Sequence, residues 1–294
     1  MKEPDGFRRM ADIIRSFHGD PLVVVVSAMG KTTNALEDLV KLTLARKHAD
    51  AEKVFTNIRR QHFEMAEALT GDAKHGVFDR LDDLFVTLLG ELKTPSKNRY
   101  LFYDQVVCFG ELLSSTLVNA YLHRSGLPVH LVDAHSLIAT NSNYTSASID
   151  WSYTARAVDA RVRPLLSQGK VVLTQGFIGA DMKGMSTTLG REGSDFTAAL
   201  LANLLDSKEV SIWKDVPGLM NADPNRFDDT IKLNHISYHE AIELAFYGAS
   251  VVHPKTIQPV QHKNIPLNVR SFFNPDTSPS EIGPGTGKIG RAHV

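Results

Sequence analysis

The sequence predicts an α/β fold, a three-layer αβα sandwich with a mostly parallel central sheet. Three observations carry this: short runs rich in Val and Ile, helix-period segments between them, and glycines where several of those segments stop. The runs are "PLVVVVSA" (21–28), "PVHLVDA" (128–134), "KVVLTQGF" (170–177), "EVSIWKDV" (209–216) and "IPLNVRSFF" (265–273). Their continuous apolarity marks strands covered on both faces. Helical spacing of apolar residues fills 31–70, 77–93, 103–125, 153–167, 194–206 and 237–247, and Gly126 and Gly169 stand at two of the ends. Strand and helix alternate, which is the pattern of a parallel sheet with crossover helices. The stretch "NPDTSPSEIGPGTG" (274–287) is turn-rich and reads as the way out of the domain.

Composition bounds the function. At 294 residues, with 43% hydrophobic and 22% charged positions, the chain has the balance of a globular protein able to bury a sizeable core. The net charge is −1 and the 32 Lys and Arg are scattered, so there is no nucleic-acid footprint and any anion must be held locally. Cys108 is the single cysteine, which excludes an internal disulfide, and its setting in "QVVCFGELL" reads as a buried small hydrophobe. No apolar run approaches the ~20 residues of a membrane span and no signal pattern opens the chain, so no membrane partner and a cytoplasmic location are expected. The 12 His form no ligand-spaced set, and His253 before Pro254 reads as structural, so no protein metal site is expected.

In a sheet of this class ligands gather at loops leaving the C-terminal ends of strands. Three such exits carry polar residues. The first, "SAMGKTTN" (27–34), offers helix-start N–H groups and the hydroxyls of Ser27, Thr32 and Thr33, a donor set that suits an anion or simple N-capping. It is not a P-loop, because Val25 stands where the first glycine of that motif belongs.

The second exit, "TQGFIGADMKGMSTTLGREGSD" (174–195), holds a hairpin-like loop over 178–186 and then enters a strongly apolar helix. Ser194 suits the N-cap and Asp195 the first turn. Capping leaves Arg191 unexplained, since a cation gains nothing at a positive helix end. An anionic ligand explains it, because guanidinium forks a carboxylate or phosphate, and Gly190 and Gly193 let backbone and ligand approach.

The third exit, "WKDVPGLMNADPNRF" (213–227), puts Lys214 and Asp215 at a strand end before a Pro-Gly turn; it suits a nucleotide or a plain turn equally. Glu111, in the apolar "CFGELLSSTLVNAYL", either reaches solvent at a helix end or faces a cation in a pocket.

Taken in order, "VVVVSAMGKTTNALEDL", "FGELLSS", "TQGFIGAD", "KGMSTTLGREGSDFTAALLA", "IWKDVPGLMNADPNRF" and "AFYGASVVHPKTI" resemble the catalytic domain of the aspartokinases, in the amino acid kinase family. The resemblance spans about 3–287. It implies the amino acid kinase fold and ATP-dependent phosphorylation of the side-chain carboxylate of L-aspartate to 4-phospho-L-aspartate, the entry to lysine, threonine and methionine. Partners would be L-aspartate and ATP with Mg²⁺, the ion arriving with the nucleotide, and the full-length protein would be a homo-oligomer.

By the same resemblance Ser27, Thr33 and Glu111 match substrate contacts, Arg191 and Ser194 hold aspartate, and Asp195 organises the reaction centre. Lys214, Asp215 and Met220 match the nucleotide loop. Asn225 stands where the family often has Arg, with Arg226 beside it, and Ser250 where some members have Lys, with Lys255 nearby.

Two departures shape the expectation. Aspartokinases open with a strand ending "KFGGTS", whereas "MKEPDGFRRMADII" resembles the stretch immediately after that motif, so residues 1–287 read as a kinase domain lacking its first strand and its phosphate-neutralising Lys. Weak or absent turnover is the consequence. "KIGRAHV" has no periodic continuation, and 288–294 read as a non-native tail; the paired ACT domains are absent from this sequence. Two alternatives stand beside the kinase reading: a fragment that binds without turnover, and a sibling kinase with another carboxylate substrate.

Overall fold

The computed structural model describes residues 2–72, 74–222, 229–246 and 251–285. The chain divides into two compact units, with the boundary between Ser194 and Asp195.

Unit 1 opens with α1 (Pro4–Ser16), β1 (Val23–Val26), α2 (Thr32–Leu44), α3 (His48–Thr70) and α4 (Val77–Lys93). It continues through α5 (Arg99–Val107), α6 (Phe109–Arg124), β2 (Val129–Val132), a 3-10 turn at Ala134–Ser136 and β3 (Ala139–Thr140). It closes with α7 (Trp151–Arg161), α8 (Arg163–Ser167), β4 (Val171–Gln175), β5 (Ile178–Asp181) and β6 (Ser186–Thr188). Asn98 and Asp150 cap α5 and α7 by accepting from first-turn N–H groups, and Gly71, Gly126 and Gly169 close helices at positive φ.

Three helical segments expected as single pieces are each broken. Segment 31–70 divides at Arg46, whose φ of 57° ends α2, while 103–125 divides at Cys108 and 153–167 just before Pro164. Proline has no N–H to continue a ladder; the other two breaks leave no comparable trace in the sequence. Helix α1, with Pro4 at its first position, lies where no element was expected.

Strand β4 is central in the order β1-β4-β2, with both pairings parallel. Its residues Val172, Leu173, Thr174 and Gln175 are buried in succession, so both faces are covered, as a continuous apolar run requires. β1 shares that composition, yet Val23, Val24 and Val25 are only half-buried because β1 stands at the edge of its sheet. Strands β3, β5 and β6 form a second, three-stranded sheet whose β5–β6 pair is the expected hairpin.

Unit 2 takes in all but the start of α9 (Gly193–Leu205), then β7 (Val210–Lys214), β8 (Leu219–Met220), β9 (Lys232–Leu233) and β10 (His235–Ser237). It ends with α10 (Tyr238–Phe246), α11 (Pro254–Gln261), β11 (Leu267–Ser271) and β12 (Ser280–Gly283). Its sheet runs β10-β12-β11-β7, and Ala199, Ala202, Ile212, Ile257, Val260 and Val269 form part of a core between this sheet and its helices. β12 corrects one expectation. The turn-rich 274–287 is not simply an exit, because Ser280–Gly283 is an inner strand, parallel to β10 and antiparallel to β11. Pro and Gly around it mask a short strand whose pairing is set by its neighbours.

A buried histidine makes the stability of unit 1 pH-dependent. His62 in α3 is fully buried; its Nδ1–H donates to Ile58 O at 2.8 Å, and Nε2 has no partner. Burial holds its pKa below the ordinary 6.5, so the unfolded chain binds the proton more readily than the fold. The contribution is complete above the unfolded-state value and is lost as pH falls. Urea midpoints should therefore drop more between about pH 7 and pH 5 for the natural protein than for His62→Leu.

Candidate active site

The C-terminal ends of β1 and β4 in unit 1 are packed so closely that glycine is required. Gly176 follows β4, its N–H donates to Val26 O at 2.8 Å, and a Cβ built on it would fall 2.6 Å from Ser194 Cα. Gly193 is held equally tightly, 2.7 Å in the same sense from Phe177 Cδ2. The start of α9 is thereby seated on the strand ends. α9 begins at Gly193, so Ser194 is in its first turn rather than at its cap.

The first exit also departs from simple capping. The cap residue of α2 is Lys31, no side chain caps it, and Thr32 Oγ1 donates instead to Met29 O at 2.7 Å. Ser27 is exposed and Thr33 half-buried. Gly110 lets α6 approach, since a Cβ there would lie 3.0 Å from Ala28 Cβ and 3.8 Å from Thr33 Oγ1.

The next residue, Glu111, is 3% exposed, which decides between the two readings of it: it is buried, not in solvent. Its Oε1 accepts from Ala28 N at 3.1 Å, while Oε2 is buried without a partner. Burial pushes its pKa up to about 8, against the smaller opposing effect of the Ala28 hydrogen bond. A cation delivered to Oε2 would reverse that shift. Arg191, exposed on the turn closed by Gly193 N donating to Gly190 O, makes no hydrogen bond or ion pair with any described residue. Ser27, Thr33, Glu111 and Ser194 are thus gathered at the ends of β1 and β4, with Arg191 on the turn leading into α9.

In unit 2, Lys214 closes β7 and its Nζ lies 2.7 Å from Asp195 Oδ2. The contact is ionic and off the line of a directed hydrogen bond, so Oδ2 keeps unused acceptor capacity. Lys255 Nζ stands 4.6 Å from the centroid of Phe196, and burial holds its pKa below the ordinary range. Asp215 is exposed and Met220 ends β8. Asn225, Arg226 and Ser250 lie outside the described residues. His253 is structural, as expected, since its Nδ1 accepts from Lys255 N at the cap of α11. Among the described residues no three His, Cys, Asp or Glu are grouped to hold a metal, and no helix is long and apolar enough to cross a membrane.

With this geometry established, the profile of the amino acid kinase family matches residues 1–271. The chain belongs to the amino acid kinase family. Lysine-sensitive aspartokinase 3 of Escherichia coli K12 is 34% identical over 273 residues, covering 92% of this chain and 59% of its own length. A bifunctional aspartokinase/homoserine dehydrogenase 2 of Arabidopsis thaliana is 30% identical over 271 residues, 91% of this chain and 29% of its own. The crystal structure of E. coli aspartokinase III in complex with aspartate and ADP superposes with a TM-score of 0.86 at 32% identity, covering 97% of this chain and 62% of that one. The chain therefore spans about three fifths of the E. coli proteins and under a third of the bifunctional plant relative. The α/β architecture predicted from sequence is that of the family.

Two residues of the chain escape a reading of the sequence alone. Gly176 is visible in "TQGF", but only the fold brings Ser194 against it. Asp104, fully buried in α5, has the same signal as Glu111, a lone carboxylate in an apolar helix. Gly176→Ala should cost about 1–3 kcal/mol, the usual penalty of overpacking. Urea denaturation should show a lower midpoint with an unchanged slope.

Proposed function

We propose that this amino acid kinase transfers the γ-phosphoryl group of ATP to the side-chain carboxylate of L-aspartate. One observation carries the reading: unit 1 holds both Glu111, a buried carboxylate whose Oε2 has no partner, and Arg191, an uncommitted guanidinium on the turn leading into α9. An amino acid with a second carboxylate offers the complementary charges. Glu111 Oε2 takes the α-ammonium and Arg191 clamps a carboxylate, with the hydroxyls of Thr33, Ser27 and Ser194 completing the polar contacts. The similarity to the aspartokinases supports the same substrate.

The nucleophile needs no general base, because a carboxylate is already ionised at neutral pH. Its oxygen forms the new bond to γ-phosphorus, the bond from γ-phosphorus to the β,γ-bridging oxygen breaks, and ADP leaves with that electron pair. Catalysis then consists of alignment and charge neutralisation between two anions. Lys214 and Lys255 in unit 2 supply positive charge for the nucleotide, and the resemblance to the aspartokinases assigns Asp215, Met220, Asn225, Arg226 and Ser250 to the same ligand. Asp195 Oδ2 and the exposed Asp215 are oxygen donors that suit a magnesium–phosphate complex, which supplies further charge neutralisation when bound. Ser194 and Asp195 are consecutive in α9, whose N-terminal N–H groups favour developing negative charge.

The test uses calorimetry and a coupled ADP assay on the chain as it stands. Because an arriving ammonium stabilises ionised Glu111, L-aspartate binding near pH 7 should release close to one proton per site, read from buffers of different ionisation enthalpy. Succinate, which lacks the ammonium, should release none. Glu111→Gln keeps the acceptor for Ala28 N and removes the charge, so aspartate affinity should fall roughly 30- to 1,000-fold, the range for losing a buried charge-assisted contact. Normal affinity in that variant would sink the assignment. Arg191→Lys keeps the charge but not the fork, and should weaken aspartate about tenfold while leaving ADP affinity unchanged.

A further inference from the structure

Asp104 lies seven residues before Glu111 and is fully buried, with no cation of the described residues against it. Its carboxylate is spent on three neutral donors from two distant segments. Oδ2 accepts from Thr145 N and from Thr188 N, each at 2.9 Å, and Oδ1 accepts from Thr188 Oγ1 at 2.7 Å. Thr188 ends β6 three residues before Arg191. Its carbonyl accepts from Ala147 N at 2.9 Å, and the next amide, Leu189 N, donates to Phe177 O at 2.8 Å.

The second segment is held in an unfavourable conformation. Thr145 is β-branched yet has φ of 71°, a region that costs such a side chain dearly. Its carbonyl and Ser146 back the Arg191 turn, for a Cβ on Gly190 would meet Thr145 O at 3.4 Å and Ser146 Oγ at 3.5 Å. Asp181 grips the same loop from the hairpin, accepting at Oδ2 from Ser142 Oγ at 2.7 Å and Tyr144 OH at 3.0 Å. An uncharged core would be a less costly way to fill the site of Asp104. What the carboxylate does that an apolar residue cannot is bind both segments at once and keep the strained loop under the turn.

We propose that Asp104 is a positioning residue for substrate binding: it locks the Thr188–Arg191 turn against the 142–147 loop and so presets Arg191 for the acceptor carboxylate. The proposal rests on the assignment of Arg191 as the clamp. Asp104 touches no substrate and acts through Thr188 and Thr145. A residue of purely structural importance would affect both ligands when altered, whereas a positioning residue for Arg191 affects only the acceptor.

The experiment compares L-aspartate and ADP affinities by calorimetry in the natural protein, Asp104→Ala, Asp104→Asn and Thr188→Val. Asp104→Ala should raise the aspartate Kd at least ~10-fold and leave the ADP Kd within about twofold, since two buried N–H groups lose their acceptor. Asp104→Asn should stay within about threefold of the natural protein, because its amide oxygen can take both N–H bonds while its NH₂ faces Thr188 Oγ1. Thr188→Val removes one bond and should raise the aspartate Kd about three- to tenfold.

Unchanged aspartate affinity in folded Asp104→Ala, an equal loss for ADP, or an Asn variant as weak as the Ala variant would each overturn the proposal. Should Asp104→Ala not fold, Thr188→Val decides by the same criteria. If the natural protein binds no aspartate, the functional reading fails separately. Amide exchange at Thr145 and Leu189 in Thr188→Val then decides the positioning role, faster exchange supporting it and unchanged exchange refuting it.

Discussion

No side chain fits between the end of β4 and the first turn of α9. Gly176 is against Ser194 at a separation a Cβ would reduce below contact, and Gly193 is against Phe177 in the same way. This steric constraint sets where α9 starts, and the helix start sets where Ser194 and the preceding Arg191 turn lie. Within unit 2 the apolar body of α9 is packed into the core through Ala199 and Ala202.

Two buried carboxylates do different work on this scaffold. Glu111 and Asp104 have the same residue class, similar burial and neighbouring helices, and burial raises the pKa of both, to about 8 and about 6. The number of hydrogen bonds separates them. Three donors saturate Asp104 and turn it into a structural tie, while one donor leaves Glu111 with an oxygen to spare. An unsatisfied buried acceptor is costly. In unit 2 the logic is inverted: Lys214 already has its counter-ion in Asp195, which keeps a cation at the end of β7.

Much of the fold is legible in the chain. All five Val- and Ile-rich runs contain strands of the fold, and the hairpin after "TQGF" forms over 178–188. Short elements are not legible. β12 hides among Pro and Gly, and α11, which begins at Pro254, lies where no helix was expected, because pairing and packing with distant segments, not local propensity, decide them. The breaks at Arg46 and Cys108 fall inside unbroken helical periodicity. Of the candidate residues in unit 1, Arg191 and Glu111 stand out by a shared anomaly, a polar group where apolar packing or capping gives it no reason to be. Asp104 carries that anomaly as well, but nothing local marks its role, because its partners Thr145 and Thr188 are distant in sequence.

By itself the sequence determined the fold class, the family, and which side chains are chemically out of place at strand ends. The fold class and the misplaced side chains depend on periodicity and residue type, which are local, and the family on the resemblance of its motifs in order. The tertiary structure alone decided that Glu111 is buried with a free oxygen, that Asp104 is saturated, that Lys214 is paired with Asp195, and that Gly176 must be glycine. Each depends on the distance between atoms far apart in the chain, a quantity fixed only when the core is packed.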